Sequence, residues 1–165
     1  MSNVYTLYLN SNNRINGSNN NNAIYNINWA NFLPTNSLNK QYSVSYSFLS
    51  TGGFYKDTAT NFYSIGKIYI DFGCGSKTYS TECNGPSKIL GLISRDVQSA
   101  SASSNYFSAF FNQHPSIIMQ RPTQNIITVT IYNTFSNILL VNTDNIGNVS
   151  TDMTSYNLII QFTEV

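Results

Sequence analysis

Residues 41–51, QYSVSYSFLST, alternate so strictly that one local structure suits them. Tyr42, Val44, Tyr46 and Phe48 fall on one parity, and Ser43, Ser45 and Ser47 fall on the other. Successive side chains of a β-strand point to opposite faces, so the segment predicts a strand with an aromatic face in a core and a serine face that is wet or lightly covered. A helix at about 3.6 residues per turn would scatter the same aromatics around its circumference.

The pattern recurs along the chain. Residues 4–10 set Tyr5, Leu7 and Leu9 against Thr6 and Tyr8, and residues 23–29 set Tyr25, Ile27 and Trp29 against Ile24, Asn26 and Asn28. Residues 64–72 place Ile68, Ile70 and Phe72 opposite Lys67, Tyr69 and Asp71. The short apolar run 88–94 predicts a strand covered on both sides. Residues 106–111 are apolar but ambiguous in type, and 116–120 predict a short strand between Pro115 and Pro122. Residues 125–133 are strongly β-branched, 138–141 are expected to pair back on them, and 156–163 turn Leu158, Ile160 and Phe162 inward. No segment predicts a convincing helix, and no fixed-period repeat suggests a propeller or solenoid. Eight to ten strands with evenly spaced turn signals predict an all-β fold, an antiparallel β-sandwich or barrel, formed as one domain over residues 1–165.

Between the strands, residues 11–22 (SNNRINGSNNNN) are low in complexity, and Asn16-Gly17 is a favourable turn pair. The plain expectation is a solvated loop; the functional one is an interface arm carrying Arg14 and Asn16. Gly52-Gly53 breaks the chain after the strongest strand, and 73–86 form a turn-rich excursion holding both cysteines, Cys74 and Cys83. That pair is able to close a disulfide in an oxidising compartment, whereas a reducing one favours two free thiols.

Composition excludes several functions. Charged residues are 9% of the 165, against about 25% in an average domain. Asn, Ser and Thr take their place, giving a neutral surface suited to packing against further copies, with few ions to desolvate. A net charge of +1 without a basic run argues against nucleic acid as a partner. No apolar run is long enough to span a bilayer, and the first ten residues lack the basic and apolar regions of a signal peptide.

Catalysis and metal binding find little support. The lone His114 sits beside Pro115 with no nucleophile motif, and the carboxylates Asp57, Asp71, Glu82, Asp96, Asp144, Asp152 and Glu164 show no dyad spacing. Asp144, Asn145 and Asp152 lack calcium-loop spacing, and the two cysteines with His114 fall short of a zinc set, so no metal or cofactor is expected. The outward tyrosines Tyr8, Tyr69 and Tyr132 suit either cross-strand aromatic packing or a surface for sugars or another subunit, and packing is the more ordinary role.

The opening YTLYLNSNNRINGSNNNNAIYNINWANFLP, the strand YSVSYSFLS, and the closing NIITVTIYN and MTSYNLIIQF resemble the small single jelly-roll capsid proteins of large eukaryotic DNA viruses and their virophages. The likeness covers the first third and last quarter of the chain. It implies a single jelly-roll of two facing four-stranded sheets, with a tryptophan strand after the asparagine loop and the last two strands paired. It also implies a non-enzymatic minor capsid or vertex (penton-like) subunit, found in the virion after assembly in the host cytoplasm. Such a subunit contacts itself and other capsid proteins, through surfaces for which Arg14, Asn16, Tyr69 and Tyr132 are candidates. The competing expectation is a carbohydrate-binding, lectin-like or fibre-head sandwich that takes a glycan in a concave aromatic patch.

Overall fold

A computed structural model describes residues 2–34, 40–51, 65–74, 79–80, 85–86, 88–97, 105–111, 116–133, 139–141 and 150–165. Its strands are β1 (Val4–Asn10), β2 (Asn22–Asn26), β3 (Gln41–Ser50), β4 (Ile65–Ile70), β5 (Tyr79–Ser80), β6 (Gly85–Pro86), β7 (Ile89–Val97), β8 (Asn105–Ala109), β9 (Ile117–Gln120), β10 (Ile126–Asn133) and β11 (Tyr156–Glu164). One helical turn, α1 (Trp29–Phe32), follows β2.

The eight longer-range strands pair in the order β1-β11-β3-β8-β7-β4-β10-β2. Within it lie four nested antiparallel pairs: β1 with β11, β2 with β10, β3 with β8 and β4 with β7. That nesting is what a long hairpin gives when its two arms are wound around a core together, so the fold is a single jelly-roll. Its layers are β1-β11-β3-β8 and β7-β4-β10-β2, joined at the β7–β8 pair. β9 continues the line of β8 along the other half of β3.

The parity read from the sequence sets which side chains meet. Tyr42, Val44, Tyr46 and Phe48 of β3 are buried, as are Leu158, Ile160 and Phe162 of β11 and Ile127, Val129 and Ile131 of β10. Serines of both parities have structural work too: outward Ser47 Oγ donates to the Ala109 carbonyl at 3.1 Å, and buried Ser50 Oγ accepts from Phe107 N–H at 2.8 Å. These bonds extend a β3–β8 register that spans only Phe48↔Ala109 and Leu49↔Ser108.

The two layers touch through aromatics. Phe162 on one layer and Phe72, just past β4 on the other, have ring centroids 6.0 Å apart. Trp29 lies 5.8 Å from Phe162 and 6.1 Å from Phe72, edge-on to both. Further along, Tyr46 of β3 crosses the interior to donate its hydroxyl proton to the Leu92 carbonyl of β7 at 2.5 Å. Its ring occupies the space a side chain at Gly91 would need, since a Cβ there would fall on the Tyr46 ring and hydroxyl. The β4–β7 register slips by one residue at this same place, between Ile68 and Tyr69. Burial raises the Tyr46 and Tyr156 hydroxyls well above the ordinary tyrosine range.

Three expectations are corrected. Trp29 is not on a strand: β2 ends at Asn26, Asn28 Oδ1 accepts from Ala30 N–H at 3.1 Å, and Trp29 opens α1. The indole is thereby buried with its N–H donated to the Gln124 carbonyl at 2.7 Å, a partner that a strand position would have to provide separately. The strand over 88–94 is not covered on both sides, because Leu92 stands 38% exposed opposite the inward Ile93. The last two strands do not pair: β10 and β11 lie in opposite layers, each bonded to strands from the other arm of the hairpin. Residues 106–111, ambiguous by pattern, contribute β8. Residues 138–141 do return to β10, through the Tyr132↔Leu139 bridge and Leu140 N–H on the Ile131 carbonyl at 2.9 Å.

Both chain ends are stitched to one seam. Glu164 accepts from Lys40 Nζ at 3.0 Å, Tyr5 Oη at 3.1 Å and Asn3 Nδ2 at 3.2 Å. The bond from Lys40, reinforced by those from Tyr5 and Asn3, holds the Glu164 carboxyl below its usual range.

Two outcomes follow from this packing. Gly91→Ala should lower stability in urea unfolding by about 1–3 kcal/mol, since the added methyl overpacks against the Tyr46 ring, whose hydroxyl is tied to the Leu92 carbonyl; a loss below about 0.5 kcal/mol would mean Tyr46 does not fill that site. A group whose folded pKa is depressed stabilises above its unfolded pKa and loses that contribution as pH falls through the folded value. The stability advantage of the native chain over Glu164→Gln should therefore be full above about pH 4.5, the ordinary glutamate value, and shrink below it. An advantage unchanged in acid would disprove the seam's electrostatic role.

Candidate functional site

The outward parity of the β1-β11-β3-β8 layer builds the site. Neighbouring strands bring Tyr8 beside Ile159 and Ile159 beside Ser47 in one row, and Asn10, Asn157 and Leu49 together in the next. Tyr8 is 72% exposed, Phe110 55% and Leu49 49%. With Asn10, Asn13 and Asn157 they line a groove of about 430 Å³ to which, among the described residues, no charged side chain contributes.

One end of the groove is polar and preorganised. Asn10 Nδ2 donates to Asn157 Oδ1 at 2.8 Å, while Asn10 Oδ1 accepts from Asn12 N–H at 2.8 Å and so caps the 3-10 turn Ser11–Asn13. The other end is apolar, from Leu49 and Phe110. An apolar floor with a few fixed amides is the usual chemistry of a recognition groove. It can bury aromatic or aliphatic groups and exchange amide hydrogen bonds.

Tyr8 was marked by its parity, but Leu49 and Phe110 were not. Their signal was a breach: Leu49 breaks the serine series of β3, and Phe110 falls on the parity opposite the buried Phe107 and Ala109. Tyr69 and Tyr132 are on the other layer, half-buried and in edge-to-face contact at 6.2 Å, with Lys67 Nζ 6.0 Å from the Tyr132 centroid. They serve cross-strand packing and do not join Tyr8.

Arg14 and Asn16 lie in the β1–β2 connection. Arg14 folds back on it, donating from Nε to the Ser18 carbonyl at 2.6 Å and from a terminal nitrogen to the Ser11 carbonyl at 2.7 Å. Asn16 is exposed at the turn, followed by Gly17 with φ +88°. Most of this connection is exposed, as a solvated loop would be, but it is anchored at two buried residues. Asn21 is fully buried, with Nδ2 donating to the Leu140 and Thr151 carbonyls at 3.0 and 3.2 Å. Ser11 is buried as well, and its Oγ accepts from Tyr156 N–H at 2.9 Å. Asp152, weighed as a calcium ligand, spends its carboxylate on backbone amides: Asn20 and Asn21 N–H at 2.9 Å each and Met153 N–H at 2.8 Å. Asp144 and Asn145 lie outside the described residues.

Asp71 is paired with Lys88 at 2.5 Å, which holds its carboxyl below the ordinary range. Cys74 is a half-buried free thiol; burial, with the Asp71 carboxylate adding to it, pushes its pKa up to about 12, so it stays protonated and a poor nucleophile. Cys83 and His114 lie outside the described residues. Among the described residues there is no cluster of three or more His, Cys, Asp or Glu placed to hold a metal, and no helix long and apolar enough to cross a membrane.

No protein-family model matches the chain, and comparison with curated proteins finds no match.

Asp152→Ala strips the acceptor from three backbone amides at once, two of them at the start of the buried Asn21 dock. Urea unfolding should show a loss of about 1–3 kcal/mol. Asp152→Asn should recover only part of it, and a neutral result for both would show that the dock does not depend on this carboxylate.

Proposed function

We propose that this protein is a non-enzymatic structural subunit of a viral shell, a minor capsid or vertex (penton-like) jelly-roll that acts by associating with copies of itself and with other capsid proteins. The observation that carries the reading is the ion-free outer face of the β1-β11-β3-β8 layer, where Tyr8, Leu49 and Phe110 are left in water around a groove. Large apolar side chains grouped on an exposed face mark interaction sites, and aromatic anchors dominate the energetics of interfaces. Covering such a face desolvates amides and hydroxyls, which exchange hydrogen bonds at small net cost, and strips no ion of its hydration.

The resemblance noted in the sequence adds support. The stretches that carry it lie at opposite ends of the chain, and they form β1, β3 and β11, which are neighbours in one layer, and β2 and β10, which are neighbours in the other. Assembly of the subunit would take place in the host cytoplasm and place it in the virion.

A glycan-binding module is the second reading, favoured by one observation: Tyr8 stands at the same groove as the fixed amides Asn10 and Asn157. An aromatic face with convergent amides suits a sugar ring.

Size exclusion with light scattering, run beside a glycan array, separates them. The subunit reading expects discrete oligomers whose population falls in Tyr8→Lys. A strict monomer at high concentration, with saturable glycan binding that Tyr8→Lys abolishes, would replace it with the second.

A further inference from the structure

The two free edges of this jelly-roll are treated differently. At one end of the strand order, the outward side of β2 is occupied by the chain's own connection: Ile15 N–H donates to the Ile24 carbonyl at 2.8 Å, Ile24 N–H reaches Ser18 Oγ at 3.4 Å, and Asn19 bridges to Asn22. At the other end, β1 pairs among the described residues with β11 on one side only. Its seven residues, VYTLYLN, contain no charge and no proline, and their register with β11 runs without a bulge from Val4↔Thr163 to Asn10↔Asn157. Those are the devices by which proteins ordinarily block an edge.

The ladder shows which backbone groups the edge presents. Glu164 N–H donates to the Asn3 carbonyl at 3.0 Å, so Asn3 and Glu164 stand at a bonded position, and the alternation of an antiparallel ladder puts Tyr5, Leu7 and Leu9 in bonded pairs with β11. The far side of β11 agrees: Val165 N–H bonds the Gln41 carbonyl at 3.1 Å and Thr51 N–H the Ser155 carbonyl at 2.7 Å, leaving the even-numbered residues of β11 for β1. Val4, Thr6 and Tyr8 therefore aim their N–H and C=O away from the sheet. Their side chains share the outer face, where Val4 is 55% and Tyr8 72% exposed.

We infer that β1 is a self-pairing edge, joining antiparallel to β1 of a second copy about a twofold axis at Thr6. That register lets Thr6 exchange both bonds with its own copy, and it sets each Val4 opposite the other chain's Tyr8. Thr–Thr and aromatic–β-branched pairs are favourable cross-strand neighbours. A twofold contact must be self-complementary, and a neutral edge has no like charge to oppose it. The added strand also carries its Tyr8 alongside the groove that the first Tyr8 lines. This deepens the subunit reading and rests on it, by naming the surface through which one copy holds the next.

Mass measurement over a wide concentration range tests it on the full chain. The native protein should approach twice its monomer mass. Thr6→Pro removes an outward N–H while sparing the bonds to β11, and should raise the dimer dissociation constant at least about tenfold with an unchanged circular dichroism spectrum. Thr6→Lys, a charge on the axis, should do the same and serves if the proline variant does not fold. On mild oxidation Thr6→Cys should trap a disulfide dimer, because bonded antiparallel pairs lie about 5.5 Å apart at Cα, while Ser45→Cys, outward on interior β3, should match the native background. Oligomers that persist in both Thr6 variants would overturn the edge and leave the subunit reading standing. A native monomer at every concentration, with no trapped Thr6→Cys dimer, would overturn both.

Discussion

The contact on which the rest depends is the meeting of the two inner faces. Sheets packed face to face stand about 10 Å apart, and that gap must be filled by side chains of the right length. Here large aromatics fill it from both ends: Phe162, Trp29 and Phe72 at one, Tyr46 lying over Gly91 at the other. Each fully buried large side chain is worth about 1.5–3 kcal/mol, so these aromatics are a large share of what holds the layers together. The polar tips remain satisfied because each crosses to a partner, Tyr46 to the Leu92 carbonyl and Trp29 to that of Gln124.

That dependence explains what was legible in the sequence. Parity along one strand is a local property, and it placed Tyr42, Val44, Tyr46, Phe48, Leu158, Ile160 and Phe162 inside without error. The order of the strands is not local. β10 and β11 follow each other in sequence and look alike, yet winding the hairpin sends them to opposite layers. Trp29 misled for a different reason: its spacing from Tyr25 and Ile27 fits a strand, and the Asn28 cap that turns the chain into a helix carries no hydrophobic signal. Composition predicts a solvated Asn-rich segment, and most of it is exposed, but Ser11 and Asn21 are fully buried and bonded to residues over a hundred positions away, which composition does not reveal. In the site, Tyr8 and the amides were visible one by one. Leu49 and Phe110 were visible only as exceptions to a pattern, and what makes them a surface is the register of four strands.

The scarcity of charge has a structural counterpart. Where many proteins use ion pairs to tie loops down, this one uses short amides and hydroxyls on backbone groups: Asn10 and Asn28 cap turns, Ser50 takes a buried N–H, and Asn21 donates to two carbonyls. Such bonds carry a net value of about 0.5–1.5 kcal/mol each and depend little on salt. Asp152 is the instructive exception, a carboxylate whose partners are peptide amides. Among the described residues charge survives where the last strand meets the start of β3, at Lys40 and Glu164, and in the Lys88–Asp71 pair.

A surface built this way has consequences for how it recognises anything. Charged patches choose partners at a distance and fix their orientation before contact. The groove around Tyr8 has no such field, so selection there must come after contact, from shape and from the direction of hydrogen bonds. Shape alone tolerates sliding, because apolar contact is non-directional. Direction is therefore supplied by fixed polar groups, and beside this groove there are two sets: the Asn10–Asn157 amides at its end and the outward peptide groups of β1 at its side. Both are rigid, the first through the turn that Asn10 caps and the second through an unbroken ladder with β11. An uncharged face flanked by rigid donors and acceptors gives contacts that are individually weak but fixed in geometry, and repeated weak contacts of fixed geometry gain strength by adding up rather than one at a time.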